Sequence, residues 1–186
     1  MKRTITRLSA GVLGAAALAA TSLASAHHSF AMFDRGQELV MKGTVARWAY
    51  NSPHVAIYIE NETGELWAFE GAAPPHLASL GITGYTFQPG EPVTLVICPL
   101  RDGRHGGAIG YVIKAGDEDN FDAWFRPNDG GCGPSRSWGE WLSAGYTSRG
   151  EAEEALGIEP GSGPPGLGPG GFDPGGPGRG GSAPPE

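Results

Sequence analysis

The sequence predicts a mainly β protein: a small five-stranded OB-like barrel with one short helix, then an irregular acidic extension and a disordered Gly/Pro-rich tail. Three observations carry that expectation. Five segments between Glu38 and Ala115 alternate apolar and polar residues with period two, and a helix signal falls between the third and fourth. The balance of charge shifts near Asp117, with six bases and eight acids in residues 27–116 but four bases and twelve acids in 117–186. Residues 160–186 hold eleven Gly and eight Pro, with Leu167 and Phe172 the only large apolar side chains, too little apolar surface to offset the entropy of ordering.

The barrel elements follow in chain order. Leu39, Met41 and Val45 alternate in a long first strand, and Gly43 in its middle marks a bend or bulge. Val55, Ile57 and Ile59 alternate in the second, which the turn residues Asn61-Glu62-Thr63-Gly64 close. Leu66 to Glu70 is the third strand, with Trp67 and Phe69 on one face. Pro74-Pro75 opens a short helix through Leu77 and Leu80, stopped by Gly81. Pro89-Gly90-Glu91 turns into the fourth strand, where Val93, Leu95 and Ile97 alternate. Asp102-Gly103 and Gly106-Gly107 make the hairpin to the fifth strand, with Ile109, Tyr111 and Ile113. Three strands, a helix and two strands is the element order of an OB-type barrel.

Upstream, residues 1–26 read as a secretory signal. Lys2, Arg3 and Arg7 precede a short apolar run, Val12 to Leu23, and Ala24-Ser25-Ala26 supplies a small-residue cleavage site. The run is shorter than the ~20 residues a spanning helix needs, and no later stretch could span a membrane. The expected organisation is a signal peptide (1–26) cut after Ala26, an arm (27–37), the barrel (38–116), the acidic extension (117–159) and the tail (160–186). The extension's aromatics, Trp124, Phe125, Trp138, Trp141 and Tyr146, would lay apolar surface on the barrel, and Ser148 to Leu156 reads as a short helix. The expected location is periplasmic or secreted.

Cleavage leaves ten bases against 20 acids, a formal charge of −10, which opposes nucleic acid as a partner. It also leaves His27 as the first residue. A free α-amine (pKa about 7.7–8.0) and the ring of the same residue close a chelate on one ion. Such nitrogen donors suit copper(II) or another transition metal, not calcium or magnesium. His28 adds a second ring. In an OB barrel the loops joining strands one to two and four to five flank the usual ligand site; His54 lies in the first and His105 in the second. His27, His28, His54 and His105 are therefore the candidate metal ligands, whereas His76 in the first helical turn reads as an exposed polar residue. His54 and His105 each also have a plainer reading, as loop residues bonded to backbone or solvent.

Cys98 and Cys132 are the only thiols, and in an exported chain the first reading is a disulfide tying extension to fourth strand; a Cys98 metal ligand is the alternative. Ser29, His28 and Asp34 are the residue types of a hydrolytic triad, but no nucleophile elbow surrounds Ser29, and no GxGxxG, P-loop or HExxH is present.

The chain carries His27-His28-Ser29-Phe30 after the signal, Phe33-Asp34, Gly43-Thr44-Val45, Pro53-His54, Glu70-Gly71, Leu77, Gly81 and Pro89-Gly90 as one ordered set of motifs. Pro99-Leu100-Arg101-Asp102-Gly103 before Gly106-Gly107 completes it. Over about residues 27–116 the chain resembles a family of small exported bacterial domains of unknown function. It departs from the family pattern in having Ser52 where Asn precedes Pro-His. The resemblance implies export and a small β domain, and brings no activity or ligand with it.

Two functions compete. One is an exported domain binding copper or a similar ion through the mature N-terminal His. The other is a non-catalytic OB-like module whose aromatics Trp48, Tyr50, Tyr58 and Trp67 grip a protein or small-molecule partner in the periplasm. No catalytic residues are assigned, and an oxidative copper enzyme is a third reading for which nothing in the chain specifies a substrate.

Overall fold

A computed structural model describes residues 30–160. The proposed signal peptide, His27, His28 and the tail beyond Pro160 lie outside the described residues. Strands β1 (Leu39–Ala49), β2 (Ala56–Asn61), β3 (Leu66–Glu70), β4 (Pro92–Pro99) and β5 (Gly106–Lys114) close a barrel in the order β1-β2-β3-β5-β4. Helix α1 (Pro74–Ser79) joins β3 to β4, and α2 (Trp138–Ser143) and α3 (Arg149–Leu156) lie in the extension. All strand pairs are antiparallel except β3 with β5. This order and the β3–β5 pairing are compatible with an OB-type barrel. Among the described residues no helix is long and apolar enough to cross a membrane.

The inner core is the set of inward residues that alternation promises: Val45, Ile57, Ile59, Phe69, Val93, Leu95 and Ile97, joined by Phe87. In two places the pattern breaks for a physical reason. The bulge in β1 falls at Ala46, between Val45 and Arg47, not at Gly43, whose pairing continues on both sides, with Asn61 of β2 and Val93 of β4. Gly43 is needed for closeness: a Cβ there would overlap the Glu60 carbonyl oxygen and come within 2.6 Å of Ile59 Cγ2. In β5, Ile109, Tyr111 and Ile113 do not share a face. Val96 pairs with Tyr111 and Ile97 with Ile109, so Gly110 is an extra residue that flips the alternation. Ile109 and Val112 therefore enter the barrel core, while Tyr111 and Ile113 face outward.

The extension covers that outward face. Trp124, Trp138, Trp141 and Ala152 pack on Val96, Tyr111 and Ile113 in a second cluster. Glu38, 1% exposed, anchors it by accepting bonds from the Trp138 indole, the Ser135 amide (2.9 Å) and Arg149 Nη1 (2.9 Å). A buried carboxylate is tolerable only with such compensation. The Ser148 hydroxyl caps α3 by accepting from the Glu151 amide, and Gly157 (φ 65°) ends it in the left-handed region. Cys98 and Cys132 form a disulfide, with Cα atoms 5.3 Å apart, that pins the extension to β4. Closing a loop of this length is worth roughly 3–4 kcal/mol in the chain-entropy description.

Candidate metal centre

His54 stands at the mouth of β2, just after the cis Ser52–Pro53 peptide. Beyond the strand ends the β2–β3 pairing runs on: the Val55 amide donates to the Ala72 carbonyl (3.0 Å) and the Gly71 amide to the Val55 carbonyl (2.9 Å). That continuation brings Glu70, the register partner of Ala56, alongside His54. The third member comes from the extension. Asp129 presents Oδ2 to His54 Nδ1 at 3.1 Å, while its Oδ1 accepts from the Gly131 amide at 3.0 Å. Glu70 Oε1 lies 3.6 Å from the same ring nitrogen, and the Gly71 carbonyl oxygen 3.1 Å.

The three side chains are part-exposed, at 26% for His54, 34% for Glu70 and 15% for Asp129. One ligand atom from each falls within 4.8 Å of the others. The 3.1 and 3.6 Å separations are hydrogen-bond and ion-pair contacts of the His54 ring, and they hold both carboxylates beside it. One imidazole and two carboxylates give a mixed nitrogen and oxygen set suited to a divalent transition ion, with further positions to be filled. Beside it lies an open cleft of about 280 Å³ lined by Pro53, Val55, Ala56, Ala68 and Phe69 together with His54 and Glu70.

The arm docks next to this group. The Asp34 amide donates to the Pro99 carbonyl (2.8 Å), and the Arg101 amide and Nε donate to the carbonyls of Met32 (2.9 Å) and Ala31 (3.1 Å). Arg101 Nη2 also sits 3.4 Å from Asp34 Oδ1. The Pro-Leu-Arg-Asp-Gly loop is thus the arm's cradle. Phe33 packs on the disulfide with Ala108 and Leu100. Phe30, the first described residue, reaches the loop that carries Asp129: a Cβ on Gly131 would stand 3.3 Å from the Phe30 ring.

The remaining expected residues lie elsewhere. The His105 ring stacks on Trp67, centroids 4.4 Å apart and planes 10° from parallel, and it is not in the His54 group. His76 is exposed on α1. Trp48 and Tyr50 are committed to the fold. The Trp48 indole donates to the Thr83 carbonyl, and the Tyr50 hydroxyl lies 2.8 Å and 2.9 Å from the carbonyl oxygens of Pro74 and Ile82. Tyr58 lies under Arg47. Trp48 and Tyr50 pack on each other, centroids 5.9 Å apart.

Sequence reasoning missed Glu70 and Asp129 as site residues. The signal that finds Asp129 is the short step Asp129-Gly130-Gly131-Cys132 once Cys132 is paired with Cys98.

A family model described as a family of unknown function (DUF6152) matches residues 15–109. The matched span contains His54, Glu70 and the arm; Asp129 and Cys132 fall beyond it. No curated protein and no solved structure matches the chain.

Proposed function

Because the chain belongs to that family of unknown function, no activity is inherited from it, and we propose from the site that this is an exported domain binding copper(II) or a similar transition ion. In this reading the signal is removed after Ala26, placing the protein in the periplasm or outside the cell. The amine and ring of His27 and the ring of His28 supply nitrogen, and His54, Glu70 and Asp129 complete the shell from the barrel side.

The observation that carries the reading is the seat of Phe30 on Gly130 and Gly131, immediately after Asp129. His28 and His27 precede Phe30 by two and three residues. At roughly 3.3–3.6 Å per residue, three residues span at most about 11 Å. His27 and His28 are thus tied within three residues to a side chain that packs on the loop carrying Asp129 of the three-donor group. An arm leaving the barrel in another direction would have given no such coincidence.

Each member has a distinct task. His27 and His28 make the site nitrogen-rich, which favours copper(II) over harder cations. The two carboxylates offset the charge of a divalent ion. A bound ion would need its nitrogen donors deprotonated, so affinity falls on acidification.

The test is a competition titration of copper(II) into protein beginning at His27. His54→Ala should weaken binding by about tenfold or more, the scale of losing or misplacing a site residue, and His76→Ala should leave it unchanged. His105→Ala, which removes a ring stacked on Trp67 and outside the His54 group, should also leave it nearly unchanged. Equal affinity in wild type and His54→Ala would remove the barrel group from the site.

A further inference from the structure

The segment that delivers Asp129 runs across the barrel wall along a single row of residues. Register aligns Ala56 of β2, Glu70 of β3, Ala108 of β5 and Cys98 of β4 side by side. Over that row passes Pro127 to Cys132. The Pro127 carbonyl accepts the Ala72 amide (2.8 Å), just past the end of β3. Asp129 then touches His54, a Cβ on Gly131 would stand 3.1 Å from the Ala108 Cβ, and Cys132 ends on Cys98. Both half-cystines are fully buried, packed with Phe33 and Ala108.

Asp129 is thus held between two fixed points: a backbone hydrogen bond two residues before it and a covalent bond three residues after it. Gly130 and Gly131 link it to Cys132, and Gly130 adopts φ 96°, a conformation open to glycine at little cost. Two consecutive glycines are also the most freely jointed link a chain can make. Without the bond, the segment after Asp129 would keep only non-covalent contacts, the Gly131 amide on Asp129 Oδ1 and the Phe30 ring beside Gly130 and Gly131, to hold the carboxylate at His54.

Resting on the metal-binding reading, we propose that Cys98 and Cys132 are positioning residues of the metal site, whose bond sets affinity by holding the Asp129 carboxylate against His54. The common role of a buried disulfide is to stabilise the fold, and that role by itself leaves the affinity of the folded protein untouched. The two roles separate cleanly. A tether acts through effective concentration of the tethered ligand, so its contribution vanishes when the ligand itself is removed.

The experiment uses the full mature chain beginning at His27, with copper(II) ion as probe, at a temperature where circular dichroism shows every variant folded. Replacing both cysteines by alanine avoids free thiolates that would bind copper themselves. Cys98→Ala/Cys132→Ala should bind about tenfold more weakly, as should Asp129→Asn. The variant combining all three substitutions should be no weaker than Asp129→Asn alone. In metal-free protein the Ala72 amide should exchange faster once the bond is absent, because the segment bearing its acceptor is released at one end. A second variant keeps the bond and inserts two glycines between Gly131 and Cys132; it too should bind more weakly, which guards against loss of folding in the cysteine-free chain. Unchanged affinity in the folded cysteine-free and insertion variants, or strict additivity with Asp129→Asn, would overturn the proposal while leaving the metal reading intact. Absence of copper binding by the wild-type chain would overturn both.

Discussion

The two sides of the barrel are built differently. On β4 and β5 both faces are buried, the inner one against Ile57, Ile59 and Phe69 and the outer one beneath Trp124, Trp138 and Trp141. On β2 and β3 only the inward residues are buried: Ile57, Ile59 and Phe69 are fully enclosed, whereas Leu66 is 56% exposed. The extension lays Trp124, Trp138 and Trp141 on the covered side, packs Phe125 against the inner core beside Phe87, and sends Asp129 to the open side. Tight apolar packing and the part-exposed His54 group thus lie on different walls. The covered wall needs large apolar contacts and the Glu38 anchor, and the open wall keeps His54 and Glu70 within reach of solvent and of the arm.

Mutations can break that contrast at either wall. The largest effect is expected on the covered side. Trp138→Ala removes a fully buried ring and its bond to Glu38, and should cost about 3–5 kcal/mol in denaturant unfolding. Leu66→Ala on the open side should change stability by no more than about 0.5 kcal/mol. Similar losses at the two positions would show that the open wall is also covered in solution.

A smaller effect sharpens the picture at the rim where β4 begins. Burial pushes the Glu91 carboxyl up, but the Lys114 hydrogen bond, the Gln88 amide and the Lys114 charge together hold it below the ordinary glutamate value of 4.5. A folded value below the unfolded one means the pair stabilises fully above about pH 4.5 and loses its contribution as pH falls through the folded value. Glu91→Gln should therefore reduce stability at neutral pH by about 0.2–1 kcal/mol, with the difference from wild type closing in acid. A difference that stayed constant down to pH 2.5 would contradict the assignment of the effect to the carboxylate.

Much of the fold is legible in the sequence because period-two alternation is a local signal. Leu39 to Val45, Val55 to Ile59 and Val93 to Ile97 mark β1, β2 and β4, and Pro74-Pro75 with Gly81 brackets α1. The two bulges are not legible, since alternation presumes an unbroken register and neither Ala46 nor Gly110 announces an extra residue. One sign was present in β5: Ile109, Tyr111, Val112 and Ile113 form a nearly continuous apolar run, the pattern of a strand buried on both faces. Of the site, His54 is legible from its place in the β1–β2 loop. Glu70 and Asp129 are two acids among 20, and an isolated carboxylate carries no local signature. Asp129 reaches His54 through a disulfide and a crossing segment, long-range features that become visible only when the chain is folded. Loop analogy alone puts His105 among the candidate ligands, and it does not foresee the Trp67 ring on which His105 stacks.

The central claim is that arm and barrel share one metal ion. The most direct measurement compares copper(II) affinity of protein beginning at His27 with that of the same domain carrying one extra glycine before His27. A terminal chelate needs the free α-amine of His27 itself, and the extra residue moves that amine out of the ring without touching the barrel. The processed form should bind markedly tighter than the extended form, by about tenfold or more, and His54→Ala should weaken the processed form too. Equal affinity of the processed and extended proteins would contradict the account and leave the His54, Glu70 and Asp129 group to act without the N-terminal chelate.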